Sequence, residues 1–262
     1  MSDIKFSIIV TTNRGIKELE PLFVNTDPTS ELIITDANYN KNTRKWLESQ
    51  DGYDQIVYAP IEKGPFKYTK DCILGMNMAF TYADNFWLFR ADDNLEFKDD
   101  AFNKAREGIQ YYKDALGNEK FSIIGLKIWE INGGKRWIGG ETIPNRFTEI
   151  TDPEFTCSFG PLPISMVYDM NGYDEIYDYG WGMEEQDFML RSIVRGWKFF
   201  FDKEMMGFSH AHSPNTESTH LNRFIYNLQR PQILAGKTQA FNAYNMKLSH
   251  NSNLVIKQKY IV

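Results

Sequence analysis

The chain has 262 residues, a formal net charge of −6 and 42% apolar residues, enough to bury one large α/β core or two small ones. The acidic balance excludes a broad electrostatic grip on DNA or RNA and argues against nucleic acid as a partner. No apolar run approaches the roughly 20 residues that a bilayer span needs.

Met1 to Val10 lacks a basic start followed by a long apolar stretch, so it reads as a strand rather than a signal peptide. Cys72 and Cys157 are far apart and make no disulfide framework. A cytoplasmic location follows as an expectation. Phe6 to Val10 is a β-branched run suited to a strand buried on both faces, ending in the polar turn Thr11-Thr12-Asn13-Arg14-Gly15. A helix is expected up to about Phe23, a strand over Glu31 to Thr35 closed by Asp36, a helix over Asn42 to Gln50 and a strand over Gln55 to Ala59. A Gly-Pro loop over Glu62 to Lys67 leads into a helix from Tyr68 to Tyr82. A fourth strand, Phe86 to Phe89, ends in Arg90-Ala91-Asp92-Asp93-Asn94. Repeated strand–helix alternation predicts an α/β fold with a mostly parallel central sheet flanked by helices. Ligands of such sheets sit outside the carboxyl ends of the strands.

The second half changes character. Asp100 to Ala115 is amphipathic, Phe121 to Ile131 reads as a long strand, and Trp137 sits in a loop or hairpin flanked by glycines. Pro163 to Asp169 is expected as a strand, with a turn at Asn171-Gly172. Trp197 to Phe201 is expected as a further strand, before Ser209-His210-Ala211-His212. His220 to Leu234 is expected to be helical, with an interruption at Pro231. The predicted organisation is one domain over residues 1–212, divided at about residue 95. A helical extension or lid follows over 213–262.

Two stretches carry chemistry. Asp92-Asp93-Asn94 follows an apolar strand directly, and adjacent carboxylates there suit a hard divalent cation as well as an ordinary turn. Gly180-Trp181-Gly182-Met183-Glu184-Glu185-Gln186-Asp187 opens a helix on an aromatic between two glycines. Its first turn holds Glu184 and Glu185, where unpaired backbone N–H groups favour negative charge. Asp187 and Arg191 are four apart and pair on one face. Lys63, Lys70 and Arg90 are candidate phosphate contacts.

The ordered set of these pieces resembles a glycosyltransferase of the GT-A fold, close to the family 2 type, with a galactosyltransferase-like Gly-Trp-Gly-x-Glu-Asp block. The likeness runs over roughly residues 5 to 212, and implies that residues 1–212 are a catalytic domain with a nucleotide-sugar half to about 95 and an acceptor half after it. Phe6 to Arg14 is similar to the opening strand and turn, Thr35-Asp36 to the second strand-end acid, and Gly75-Met76-Asn77 to a helix segment in which Met76 replaces the usual Arg. Asp92-Asp93-Asn94 stands at the metal-binding signature, and Asn171 to Arg191 at the acceptor block, where Glu185 replaces the usual Asp.

The resemblance implies a nucleotide-sugar donor, UDP-linked by analogy, held by Thr11, Thr12, Asn13, Arg14, Asp36, Asn77, Arg90 and Asp92. It implies Mn²⁺ or Mg²⁺ on Asp92 and Asp93 with His210 or His212. Either Glu185 or Glu184 would be the general base in an inverting transfer to a glycan or other hydroxyl-bearing acceptor. Glu184 would also hold the acceptor, and Trp181, Gly182 and Trp137 would form a lid. A sugar-nucleotide nucleotidyltransferase and a catalytically inactive glycan-binding protein are the alternatives.

Overall fold

A computed structural model describes residues 4–50, 55–61, 73–118, 120–131, 134–137, 145–151, 159–179, 182–210 and 216–241. In chain order the elements are β1 (Phe6–Thr12), α1 (Ile16–Leu19), a 3-10 turn (Glu20–Phe23), β2 (Glu31–Asp36), α2 (Lys41–Glu48), β3 (Gln55–Pro60), α3 (Ile73–Tyr82) and β4 (Trp87–Asp92). Next come β5 (Leu95–Phe97), α4 (Ala101–Leu116), β6 (Phe121–Ile131), β7 (Gly134–Trp137), β8 (Phe147–Ile150), β9 (Gly160–Pro163) and α5 (Ile164–Met170). A second 3-10 turn (Glu175–Tyr179), α6 (Glu184–Val194), β10 (Lys198–His210) and α7 (Thr216–Leu234) complete the described chain.

The first sheet runs β3-β2-β1-β4-β9; its first four strands are parallel and β9 is antiparallel to β4. In the second sheet β10 and β6 pair in parallel, β7 extends β6, and β5 and β8 pair with β10 antiparallel. The sheets meet at Gly125, whose N–H donates to the Phe159 carbonyl at 2.8 Å. Gly160 makes this approach possible. Its φ is +135°, and a Cβ there would stand 2.3 Å from the Ile123 carbonyl oxygen.

Alternation along β1 and β4 separates two cores. Ile9, Ile33, Val57 and Leu88 pack on α3, α5 and α6 through Phe80, Val167 and Phe188. Ile8, Val10, Leu32, Ile34, Phe89 and Ala91 pack on the other side with Phe97, Phe102 and Ile109. Gly75 lets α3 lie close on β1 and β2, since a Cβ would fall 2.9 Å from Thr11 Cγ2 and 3.0 Å from Thr35 Oγ1. Met76, where the resemblance leads one to expect Arg, is buried in that packing.

The expected elements differ from the structure in several places. Pro163 to Asp169 is a helix, not a strand. Gly160–Pro163 is the strand, and the chain turns helical at Ile164. Met166, Val167 and Met170 are its buried residues, a helical spacing that the β-branched residues masked. The strand expected over Trp197 to Phe201 begins at Lys198 and runs on to His210. α7 passes through Pro231, which lies in its last turn and so removes only a terminal hydrogen bond. The strands β5, β8 and β9 are three or four residues long, too short to leave a periodic signal. The stretch expected as an extension shares the core over 216–241. Tyr226 and Ile233 are buried in it, and the Phe241 and Met170 carbonyls accept from Glu175 N and Ala240 N.

Candidate active site

The carboxyl ends of β1, β2 and β4 come together at one edge of the first sheet. Register places Thr11 beside both Thr35 and Asp92, and Ile9 beside Arg90. Residues two apart on a strand share a face about 6–7 Å apart. Arg90, Asp92 and Thr11 therefore share the face covered by α3 and α6, while Thr12 and Asp36 share the opposite face. The adjacent aspartates divide between these two environments.

On the α6 face, Arg90 Nη1 lies 2.5 Å from Glu185 Oε1. Arg90 also donates to the Tyr173 hydroxyl at 3.2 Å and stands over that ring. Tyr173 in turn stacks on Phe188, one turn into α6, at 4.5 Å between ring centres. The start of α6 is thus fixed against the end of β4. Asp92 is held by Lys127 Nζ at 2.5 Å. Lys127 comes from β6 and is itself buried, whereas the Asp92 side chain is 28% exposed. Glu184 is less buried than Glu185.

On the opposite face, Asp93 accepts from Thr12 Oγ1 at 2.8 Å and pairs with Arg14 at 3.5 Å. Burial pushes its carboxyl up to about 6, against the opposing pull of Arg14 and the Thr12 hydrogen bond. The Arg14 N–H donates to Thr12 Oγ1, tightening the turn after β1. Asp36 is fully buried. Its oxygens accept from Asn38 N at 2.7 Å and the Tyr58 hydroxyl at 2.6 Å, and burial raises its pKa. Tyr39 stacks on Tyr58 at 4.5 Å. Asp36, expected at the nucleobase or ribose, thus shapes the loop after β2 from within. Asn38 reaches across to the Asn13 carbonyl, joining that loop to the turn after β1.

Asn77, expected at the donor, is engaged within the protein. It is fully buried and clamps Tyr173, donating to its carbonyl and accepting from its N–H, each at 2.8 Å, with a further bond to Glu175. It positions the ring that supports Arg90. Thr11 is likewise turned inward, its hydroxyl 3.2 Å from that of Thr35.

The entrance to α6 is strained. Gly182 and Met183 both have left-handed backbones, at φ +78° and +75°. Glycine adopts this freely, but methionine does so at a cost on the order of 1 kcal/mol or more. Asn222 of α7 holds the turn, donating to the Gly182 and Tyr177 carbonyls at 2.8 and 2.9 Å. One turn further on, Asp187 and Arg191 pair at 2.6 Å in the core, and Arg191 also donates to the Met170 and Gly172 carbonyls.

Among the described residues no group of three or more His, Cys, Asp or Glu side chains is arranged to hold a metal ion. The donor chemistry nevertheless suits a hard cation. Asp92 is partly open, and β5 brings the end of β10 to the same turn, where Ser209 Oγ donates to Asn94 Oδ1 at 3.3 Å. The His210 backbone is the next residue along. A cation on Asp92 would compete with Lys127. Trp181, His212, Lys63, Lys70, both cysteines and the side chains of Trp137 and His210 lie outside the described residues. The sequence reading missed Lys127 and Tyr173. A lysine inside the apolar run Phe121 to Trp129 was the available signal for the first.

No protein family and no curated protein sequence matches the chain. Solved structures do. Staphylococcus aureus TarS residues 1–349, solved with UDP, superposes with a TM-score of 0.59 at 17% identity, over 88% of this chain and 70% of that one. The same fragment solved with UDP-GlcNAc gives 0.59 at 15% identity, over 98% and 77%. A longer TarS structure gives 0.61 at 14% identity, with 92% of this chain covering 45% of it. The fold is therefore the GT-A type of α/β architecture. At these identities the likeness does not reach the Gly-Trp-Gly-Met-Glu-Glu block. No described helix is long and apolar enough to cross a membrane.

Proposed function

We propose that this protein is a glycosyltransferase that moves a sugar from a UDP-linked donor to an acceptor hydroxyl with inversion. The observation that carries the reading is the meeting of Glu185 with Arg90, two residues before Asp92 on the same face of β4. It sets a candidate base beside a candidate diphosphate site at the strand ends, where ligands of such sheets bind. The TarS fragments solved with UDP and UDP-GlcNAc share this fold and support the choice of donor.

In this reading the acceptor oxygen attacks the anomeric carbon as the bond to the diphosphate oxygen breaks. UDP leaves with the electron pair. The acceptor proton passes to the Glu184/Glu185 pair, in which Arg90 fixes the Glu185 carboxylate and Glu184 is the more open. Lys127 and Arg14 offer positive charge at Asp92 and Asp93, on either side of the strand end where the leaving group would sit. Asp92 and Asp93, with His210 or His212, would hold a divalent cation, which supplies further charge neutralisation when bound. Gly182 and Trp181 would close over the sugar and exclude water.

The test is UDP release from a panel of UDP-sugars with Mn²⁺, with and without acceptor candidates. Binding of UDP together with release of UDP supports the reading. Release of pyrophosphate instead would replace transfer with nucleotidyl chemistry, and sugar binding without nucleotide binding would leave a glycan-binding protein. Undiminished turnover in excess chelator would remove the metal from the scheme.

A further inference from the structure

We propose that a cleft at the edge of the sheets opposite the candidate active site binds a neutral saccharide. Its volume is about 760 Å³, within the range of small-molecule sites. The starts of β4, β6 and β10 meet there with α5 and the end of α6, and Phe86, Lys120, Ser165, Asp169, Arg195 and Trp197 are among the residues that line it. β4 runs from this cleft to Asp92, so a ligand here lies about 20 Å from that carboxylate by the rise of a strand. The cleft takes no part in the transfer chemistry.

Local geometry builds the cleft. α6 ends at Gly196, whose left-handed backbone, at φ +82°, turns the chain out of the helix. The Gly196 and Trp197 N–H groups donate to the Ile193 and Ser192 carbonyls at 2.9 and 3.0 Å and close the cap. Arg195 and Trp197, on either side of that glycine, both reach Asp169 of α5. Arg195 Nη2 donates to Oδ1 at 2.7 Å and Trp197 Nε1 to Oδ2 at 2.9 Å. Lys198 N donates to the Lys120 carbonyl at 3.1 Å, which brings Lys120 beside Trp197, its Nζ 5.7 Å from the ring centre. Burial pulls the Asp169 pKa up, but the Arg195 and Trp197 bonds and the Arg195 and Lys120 charges outweigh it, so the carboxylate stays ionised at neutral pH.

The mixture of donors and acceptors selects the ligand. Each Asp169 oxygen accepts one of these bonds and has a lone pair left, Arg195 and Lys120 carry further N–H donors, and Ser165 adds a hydroxyl. A free anion would meet the Asp169 carboxylate, and a cation would meet Lys120 and Arg195. An apolar molecule would take all three from water and give them no partner. Sugar hydroxyls both donate and accept, so adjacent hydroxyls satisfy neighbouring acceptors and donors together. Phe86 is 43% exposed and Val194 36%, which leaves apolar surface open on the same cleft. The negative face of the Phe86 ring suits the C–H face of a pyranose. A brace between α5 and α6 would account for the Asp169 bonds but not for the open ring beside them. Saccharide binding here does not depend on the glycosyl-transfer reading; on that reading, the cleft anchors a remote part of a glycan acceptor.

Saturation-transfer NMR of the full chain with glucose, galactose, mannose and N-acetylglucosamine, each with and without saturating UDP, tests the proposal. At least one sugar should bind with a Kd on the order of millimolar, and UDP should leave that binding unchanged. Phe86→Ala should weaken it by about tenfold or more, and Lys120→Met by about threefold. Glu185→Gln should not alter it. Phe86 and Lys120 are exposed, and circular dichroism checks that the variants fold. UDP affinity should be unchanged in Phe86→Ala, so this site and the glycosyl-transfer reading fail separately. Absence of binding by every sugar at about 50 mM overturns the proposal. So does sugar binding that UDP abolishes or that Phe86→Ala leaves intact, and so does binding of inorganic phosphate in place of sugars.

Discussion

Glu185 and Asp187 stand two residues apart on α6, and each holds an arginine. Asp187 and Arg191 come from the same helix, are at most 1% exposed as side chains, and are closed in by backbone carbonyls and the Tyr177 hydroxyl. Glu185 and Arg90 come from different elements and meet at the end of the parallel sheet, with side chains 10% and 6% exposed. The first pair locks α6 to the turn around Met170 to Gly172. The second connects α6 to the strand that carries Asp92. Both pairs are largely buried, so burial alone does not tell them apart; what else reaches each pair does.

The largest effect should come from breaking the inner pair. Asp187→Ala leaves Arg191 buried without its carboxylate, and should cost about 3–5 kcal/mol in urea unfolding. A loss below about 1 kcal/mol would show that the carbonyls alone hold Arg191, and the contrast with Glu185 would dissolve. Glu185→Gln should lower UDP release on transfer by about 10²–10⁴-fold. It should cost clearly less stability than Asp187→Ala. If both variants lose only stability in step with each other, Glu185 is structural too.

The loop after β2 offers a smaller test away from α6. Tyr58→Phe removes the hydroxyl on Asp36 Oδ2 and should cost about 1–3 kcal/mol, read by chemical denaturation. UDP affinity that falls with no loss of stability would instead return Asp36 to direct donor contact.

The last expected effect is on pH dependence. Burial pushes Asp174, just before the second 3-10 turn, up to about 6 and Asp178, within that turn, up to about 7. The folded chain keeps protons there that the unfolded chain releases near the ordinary value of about 4. Their contribution to stability is full below that value and is lost as pH rises through 6 and 7. Tm should therefore fall by on the order of 10 °C between pH 5 and 8, at about 1.4 kcal/mol per pH unit for each group and about 2–4 °C per kcal/mol. Asp174→Asn, which keeps an acceptor for Ile176 N, should flatten the lower part of that fall. A flat profile in the parent protein would contradict it.

Much of the sheet was legible in the sequence because β1 to β4 are apolar runs closed by polar turns, and buried parallel strands need nothing more. The i, i+4 pairing of Asp187 with Arg191 and the acids in the first turn of α6 were legible for the same reason: helical geometry is local. Pro163 to Asp169 was misread because seven residues carry too few repeats to separate a helical period from a strand. The internal partners of Asp36 and Asn77 were not legible, for a different reason. Their residue types suit a ligand, but Tyr58 and Tyr173 reach them from elsewhere in the chain, and no spacing rule announces that.

By itself, then, the sequence determined the alternation of strands and helices and the places where carboxylates end strands or open helices. These depend on residue type and on neighbours within one turn or one pleat. Only the tertiary structure decided that Asp92 and Asp93 leave β4 toward different faces, that Lys127 of the second sheet meets the first of them, and that Arg90 brings Glu185 to the same edge. Those contacts join elements that are far apart in the chain, and the packing of α6 and the second sheet against β4 brings them into range.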